Sequence, residues 1–211
     1  MVRKFSLLLI VASLAGLAIS SSAAAESHRQ QVATQAVAAV APTTPEGPGQ
    51  LIAPESVCPG QENLAAPAKA QESTMLCMTD FARVQSGLAN LGAAEELEQS
   101  AGDKADDILR CDSFSHFACG REFTYWMRQT GYISTQCWRV GENLAWGTEN
   151  YGTVRSIFRA WMSSPGHRLN ILDDFTQTGI SLRVGTLAGQ PGTRVWAQHF
   201  GSHCETPSTQ P

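Results

Sequence analysis

The sequence predicts an α+β domain: four helices come first, and a small antiparallel sheet closes the chain. Three observations carry this reading. Apolar residues recur at helical spacing between residues 77 and 161. Strict apolar/polar alternation sets in only near Ile180. All six cysteines lie beyond an apolar leader, which is the pattern of a disulfide-stapled exported domain.

Residues 1–25 read as a signal peptide. Arg3 and Lys4 form its basic start, Phe5 to Ile19 is an uncharged and largely apolar run, and Ala23-Ala24-Ala25 supplies small residues for a cut before Glu26. The run is shorter than the roughly 20 residues a membrane span needs. An uncleaved anchor is the alternative, but small residues follow the run where a stop-transfer segment would carry charge. The expected location is therefore extracellular or at the cell envelope, with no transmembrane segment in the mature chain. Residues 26–72 are rich in Ala, Pro, Gln, Glu and Thr and include Ala41 to Gln50, APTTPEGPGQ. They read as a low-complexity arm. Cys58 would staple its second half to a domain spanning residues 73–205, with a tail at 206–211.

Cys77, Phe81, Val84 and Leu88 make the first apolar helix face, with Gly92 expected to help end it. Leu97, Ala101, Ala105 and Ile108 make the second, and Glu95 and Glu96 suit its positive N-terminal end. A third helix is expected over residues 121–129, stopping before Gly131. Val154, Ile157, Phe158 and Trp161 form the clearest stripe, and Pro165-Gly166 is expected to break it. Ile180, Leu182 and Val184 alternate with Ser181 and Arg183 as a half-buried strand. Leu187 to Thr193 reads as a hairpin loop, and Val195 to Phe200 returns as its partner. Val140 marks a short strand leading into Gly141.

The net charge is −4, and loss of Arg3 and Lys4 with the leader makes the mature chain more acidic. An acidic surface without a basic run excludes nucleic acid and charge-driven binding to anionic lipid. There is no C-x-x-C pair, no H-E-x-x-H helix and no G-x-S-x-G elbow. Cys58, Cys77, Cys111, Cys119, Cys137 and Cys204 are read as structural. The expected pairs are 58–77, 111–119 and 137–204, the first two favoured by short loops.

Four segments fall in a consistent order: FSH (Phe114 to His116), GENLAWG (Gly141 to Gly147), W-x3-PGHRLNIL (Trp161 to Leu172) and VWAQHFG (Val195 to Gly201). Together they resemble the CAP superfamily of cysteine-rich secretory proteins, antigen 5 and pathogenesis-related 1 proteins, in its bacterial branch, over residues 75–204. The resemblance implies a three-layer α-β-α sandwich and a cleft lined by two histidines and two acidic residues. His116 and Glu142 match the first histidine and the first glutamate. The second acidic position, three residues after Trp161, holds Ser164. The second histidine position, before Phe175-Thr176-Gln177, holds Asp174. His167 is the remaining imidazole candidate. The implied constellation is His116, Glu142 and His167, with Asp174 or Ser164 nearby and Asn143 and Asn170 bracing the loop.

This set admits three readings. It is a hydrogen-bonded network shaping a ligand cleft, a site for a divalent cation such as zinc, or a hydrolytic centre. No cofactor is required by the first. Ser164 as a nucleophile beside His167 is disfavoured, since closeness in sequence is not geometry. Trp146, Trp161 and Trp196 are read as core or cleft walls. His199 alternates with Trp196 and Phe200, so it points to the other sheet face and ranks below the other histidines. The expected role is extracellular binding of a cation, a small apolar molecule or an envelope component. The family's association with sterols and lipids comes from the resemblance alone. A metal-assisted peptidase or esterase and an adhesive surface module are the alternatives.

Overall fold

A computed structural model describes residues 48–134 and 137–203. The leader, the first part of the arm, Cys204 and the tail lie outside the described residues. Among these residues five α-helices flank one four-stranded sheet: α1 (Ala68–Gln85), α2 (Glu95–Arg110), α3 (Thr124–Gln129), α4 (Val154–Ser163) and α5 (Pro165–Ile171). The strands are β1 (Gly92–Ala93), β2 (Trp138–Gly147), β3 (Gln177–Leu187) and β4 (Gln190–His203). Their order is β1-β3-β4-β2. The expected antiparallel pairing holds for β3–β4 and β4–β2, whereas the two-residue β1 runs parallel to β3.

Side-chain parity along β4 builds the three layers. Val195 and Ala197 face α2, where Ala101, Ala105 and Ile108 complete one core. Trp196 and Phe200 face the other way, into a core with Met75 and Met78 of α1 and Phe158 and Trp161 of α4. Each large side chain so buried contributes about 1.5–3 kcal/mol. The second and fourth helical stripes stand as expected, and Leu97, Ala101, Ala105 and Ile108 are all fully buried.

Several expectations are corrected. In α1 the buried face is Met75, Met78 and Ala82, while Val84 is 54% exposed. Buried polar residues (Gln71, Glu72, Thr79, Arg83) interrupt the true stripe and disguise it. Gly87, not Gly92, ends α1: it takes φ +77°, and Gly87 N–H and Leu88 N–H donate to the carbonyls of Val84 and Arg83, the Schellman closure. The fourth helix does break ahead of Pro165, as expected, but Pro165 also starts a further helix, because a first-turn proline loses no helical hydrogen bond. The β3–β4 loop shrinks to Ala188-Gly189, both with positive φ, as a two-residue hairpin requires. Residues ahead of Ser73 are packed as well. Leu51, Ala53 and Cys58 sit in the larger core, and Gln61 donates to the carbonyls of Ala53 and Cys58.

Cys58–Cys77 and Cys111–Cys119 are bridged, as the short loops suggested. Cys137 is also disulfide-bonded, and its expected partner Cys204 is outside the described residues. No helix among the described residues is long and apolar enough to cross a membrane.

Candidate functional site

The GENLAWG segment is not a loop. It is the body of β2, on the outer edge of the sheet, paired residue for residue with β4. In that register Glu142 stands directly opposite His199. Opposed residues of an antiparallel pair share a face, and this face is covered by α2. His199 Nε2 lies 2.9 Å from Glu142 Oε2. Its Nδ1 lies 2.7 Å from the Ser100 hydroxyl on α2. The other carboxylate oxygen of Glu142, Oε1, is 2.6 Å from Nδ1 of His116. Ser100, His199, Glu142 and His116 thus form one continuous array. His199 and Ser100 are fully buried, and the array surfaces at His116, whose side chain is 52% exposed.

His116 lies in the segment that the Cys111–Cys119 bridge closes. Lys104, one turn past Ser100 on α2, donates to the His116 carbonyl at 2.5 Å. The disulfide limits where the segment can go, and the lysine pins the backbone of the residue that matters. Lys104 is itself buried. Burial lowers its pKa, while Glu142 and Asp107 act in the opposite direction.

A carboxylate buried as Glu142 is would normally be pushed toward its neutral form. Burial does act that way here, but the hydrogen bonds from His116 and His199 and the charges of His199 and Lys104 outweigh it, so its pKa is lowered. The carboxylate is therefore ionised, and both imidazoles donate to it.

The opposite face of β2 is fastened to α5. Asn143 Nδ2 donates to the His167 carbonyl at 3.0 Å. Asn170 Nδ2 donates to the Glu142 carbonyl at 3.2 Å and to Asn143 Oδ1 at 2.8 Å. Trp161 Nε1 donates to the Leu144 carbonyl. Two of these contacts, from Asn170 and Trp161, satisfy β2 carbonyls that a sheet edge would otherwise leave bare. Together with the Asn143 contact, they bring His167, on α5, to the neighbourhood of His116. Burial first, and the charge of His116 second, lower the His167 pKa.

The sequence-predicted residues divide accordingly. His116 and Glu142 meet directly, and His167 approaches from α5. The side chains of Asn143 and Asn170 join a strand to a helix. Gly147 is required by close approach: a Cβ there would stand 2.8 Å from the Gly152 nitrogen. Ser164 ends α4 and begins α5 without a side-chain cap. Asp174 is largely exposed and pairs with Arg139. Trp161 and Trp196 are core, and Trp146 meets Phe114 edge-on at 6.4 Å between centroids. His199 is the residue that sequence reasoning ranked too low. Its strand parity was legible, but the β2–β4 register that sets it opposite Glu142 was not. Lys104 and Ser100 were missed outright. Lys104 carried a signal, since it lies three residues after Ala101 and four before Ile108, on the apolar stripe.

A family model described as the cysteine-rich secretory protein family, CAP, matches residues 78–200, more than half of the chain. This chain belongs to the CAP family. The chain is 31% identical over 133 residues to uncharacterized protein YkwD of Bacillus subtilis (strain 168), covering 62% of this chain and 47% of that protein. It is 27% identical over 135 residues to uncharacterized membrane protein YlbC of the same strain, covering 64% and 37%. It thus spans less than half of each of these curated relatives. An outer surface protein from Borrelia burgdorferi has a similar fold, with a TM-score of 0.54 at 18% identity, covering 66% of this chain and 97% of that one.

Proposed function

We propose that this chain is an exported CAP domain that binds a small extracellular molecule without turning it over. The ligand lies between the Cys111–Cys119 segment and α5, against the imidazoles of His116 and His167. The observation that carries this reading is the commitment of Glu142: each of its oxygens accepts from an imidazole. A nearly buried carboxylate with both oxygens turned to imidazoles is better placed to orient those rings than to reach water or a metal. It orients His116, as a carboxylate behind a working imidazole does.

A three-ligand cation site at His116, Glu142 and His167 is the less favoured reading. Among the described residues no group of three or more His, Cys, Asp or Glu side chains could hold a metal ion. The two hydroxyls nearest this argument give a hydrolytic centre little support. Ser100, the hydroxyl of the array, is fully buried, and Ser164 serves a helix junction. Phe114 and Phe117, on either side of His116 in sequence, are 44% and 65% exposed. They supply apolar surface beside the imidazole, the combination that suits a ligand with an apolar body and one hydrogen-bonding group.

Thermal melts of the oxidised mature protein test this. The probes are a long-chain fatty alcohol, a cyclodextrin-carried sterol and zinc chloride, with a His116→Ala/His167→Ala double variant as control. Stabilisation by an organic probe that the double variant loses is expected, since a ligand bound to the native state raises its stability by mass action. Saturable stabilisation by zinc alone would return the site to the metal reading. Hydrolysis of an ester probe that His116→Ala abolishes would overturn the non-enzymatic one.

A further inference from the structure

We infer that His199 is a positioning residue for His116. Acting through Glu142, and anchored by Ser100, it fixes the tautomer of the imidazole that meets the ligand. The inference rests on the reading that His116 faces the ligand, but it is tested separately.

The argument is one of proton inventory. Glu142 is an ionised carboxylate and can only accept. His116 Nδ1, 2.6 Å from Oε1, must therefore carry a hydrogen. In the neutral form of His116 this leaves the lone pair on Nε2, the other ring nitrogen. His199 Nε2, 2.9 Å from Oε2, must also carry a hydrogen.

The far end of the array does not disturb this assignment. The Ser100 hydroxyl has one proton and two partners, the Leu97 carbonyl at 2.9 Å and His199 Nδ1 at 2.7 Å. If the proton goes to Leu97, His199 donates from both nitrogens. If it goes to Nδ1, His199 is neutral with its hydrogen on Nε2. Glu142 Oε2 is supplied in both arrangements. Without His199, that oxygen would be buried and unmatched, and the carboxylate would be free to rotate away from His116 or take up a proton. Either change releases Nδ1. Lys104 completes the device by holding the His116 backbone, so that only the ring remains to be set.

His199 thus does for Glu142 what Glu142 does for His116. A neutral His116 held this way accepts a hydroxyl or amine hydrogen from the ligand at Nε2. The buried Ser100-His199-Glu142 connection resembles a hydrolase triad in composition but not in polarity. Here the serine meets Nδ1 and the carboxylate meets Nε2, and the serine is sealed off from solvent.

The test is long-range 1H–15N correlation spectroscopy of the oxidised chain at a pH of about 8.5, about two units above the ordinary imidazole pKa. In the parent protein His116 is expected as the Nδ1–H tautomer in about tenfold excess or more, the bias a charge-assisted hydrogen bond confers. His199→Leu, of similar bulk but with no hydrogen bonds, is expected to cut that excess by at least about threefold. His199→Gln places an amide donor where Nε2 stood and is expected to restore it. Ser100→Ala, a milder change, is expected to produce a smaller loss, and it decides the matter if His199→Leu does not fold. A merely structural His199 would alter melting temperature and leave the tautomer alone. The inference is overturned if His116 carries its hydrogen on Nε2 in the parent. It is equally overturned if folded His199→Leu, or Ser100→Ala where the leucine variant does not fold, leaves the tautomer unchanged. An intact tautomer effect with no stabilisation by any ligand probe supports this inference while removing the binding reading.

Discussion

Replacing Gly179 by alanine tests how α2, which carries Ser100 and Lys104, is seated on the sheet. A Cβ at Gly179 would overlap the Glu98 nitrogen and the Leu97 carbonyl carbon and stand 2.6 Å from Glu98 Cα. Ordinary carbon contacts lie near 3.5–4.0 Å, so the first turn of α2 has to retreat by about 1 Å. All three obstructing atoms are backbone, and no rotamer change relieves them. Overpacking costs about 1–3 kcal/mol, and a rigid obstruction places Gly179→Ala near the top of that range. Gly102→Ala is the internal control. Its Cβ would meet the Arg183 guanidinium, with Cζ at 3.2 Å, which is the mobile end of a long side chain. Alanine also gains about 1 kcal/mol over glycine inside a helix. Gly102→Ala is therefore expected within about 1 kcal/mol of the parent. Urea unfolding followed by tryptophan fluorescence reads both. Equal midpoints for the two variants would refute the claim that direct backbone contact seats α2. A Gly179→Ala protein of unchanged stability would refute it outright.

Other outcomes follow from the site and its supports. Glu142→Gln removes the counter-charge of a buried cluster and is expected to cost about 3–5 kcal/mol, read by the same urea assay. Because the Glu142 pKa is depressed by its partners, its contribution is complete above the ordinary carboxylate range. It is lost as pH falls through the lower folded value. The parent should therefore lose stability below a pH of about 4, and Glu142→Gln should show a shallower acid loss in parallel melts. Cys111→Ser with Cys119→Ser opens the segment holding His116. A short loop of this kind is worth about 2.5 kcal/mol, and hydrogen exchange at residues 112–118 should quicken while α4 remains protected. Arg83 donates to the carbonyls of Ala89, Ile171, Asp173 and Phe175. Arg83→Met leaves these buried acceptors unmatched and is expected to cost more than about 3 kcal/mol. Unchanged melting would refute the view that this arginine ties α1 to the segment after α5.

The legible parts of the fold share a cause. The stripe of α2 and that of α4 bury apolar side chains at every expected position, so periodicity reads them directly. In α1 it does not. Cys77 is spent on a disulfide to Cys58, and the inward face includes Arg83, Glu72 and Thr79. These are stabilised by partners distant in sequence: Glu72, for example, accepts from the Leu182 N–H. Local pattern cannot show such pairing, and the stripe it does show is one of partly exposed residues. Pro165 marks the end of α4 correctly but gives no sign of the helix that follows. Any residue before a proline is pushed toward extended backbone, so only the helical residues after Pro165 reveal α5.

For the site, sequence alone determined which chemistry was on hand: His116, Glu142 and His167 in motif context, the two short disulfide loops, and the face to which His199 points. Those are properties of single residues or of neighbours along the chain. The tertiary structure decided which groups touch. Glu142 meets His199 because β2 and β4 pair in one register, and a slip of a single residue would put the two side chains on opposite faces. Ser100 and Lys104 reach the array because α2 lies against β3 at a glycine. Asp174 leaves it because Arg139, 35 residues away along the chain, stands closer in space. Hydrogen bonding is a short-range force, and separation along the chain carries little information about separation in space until strand register and helix packing are set.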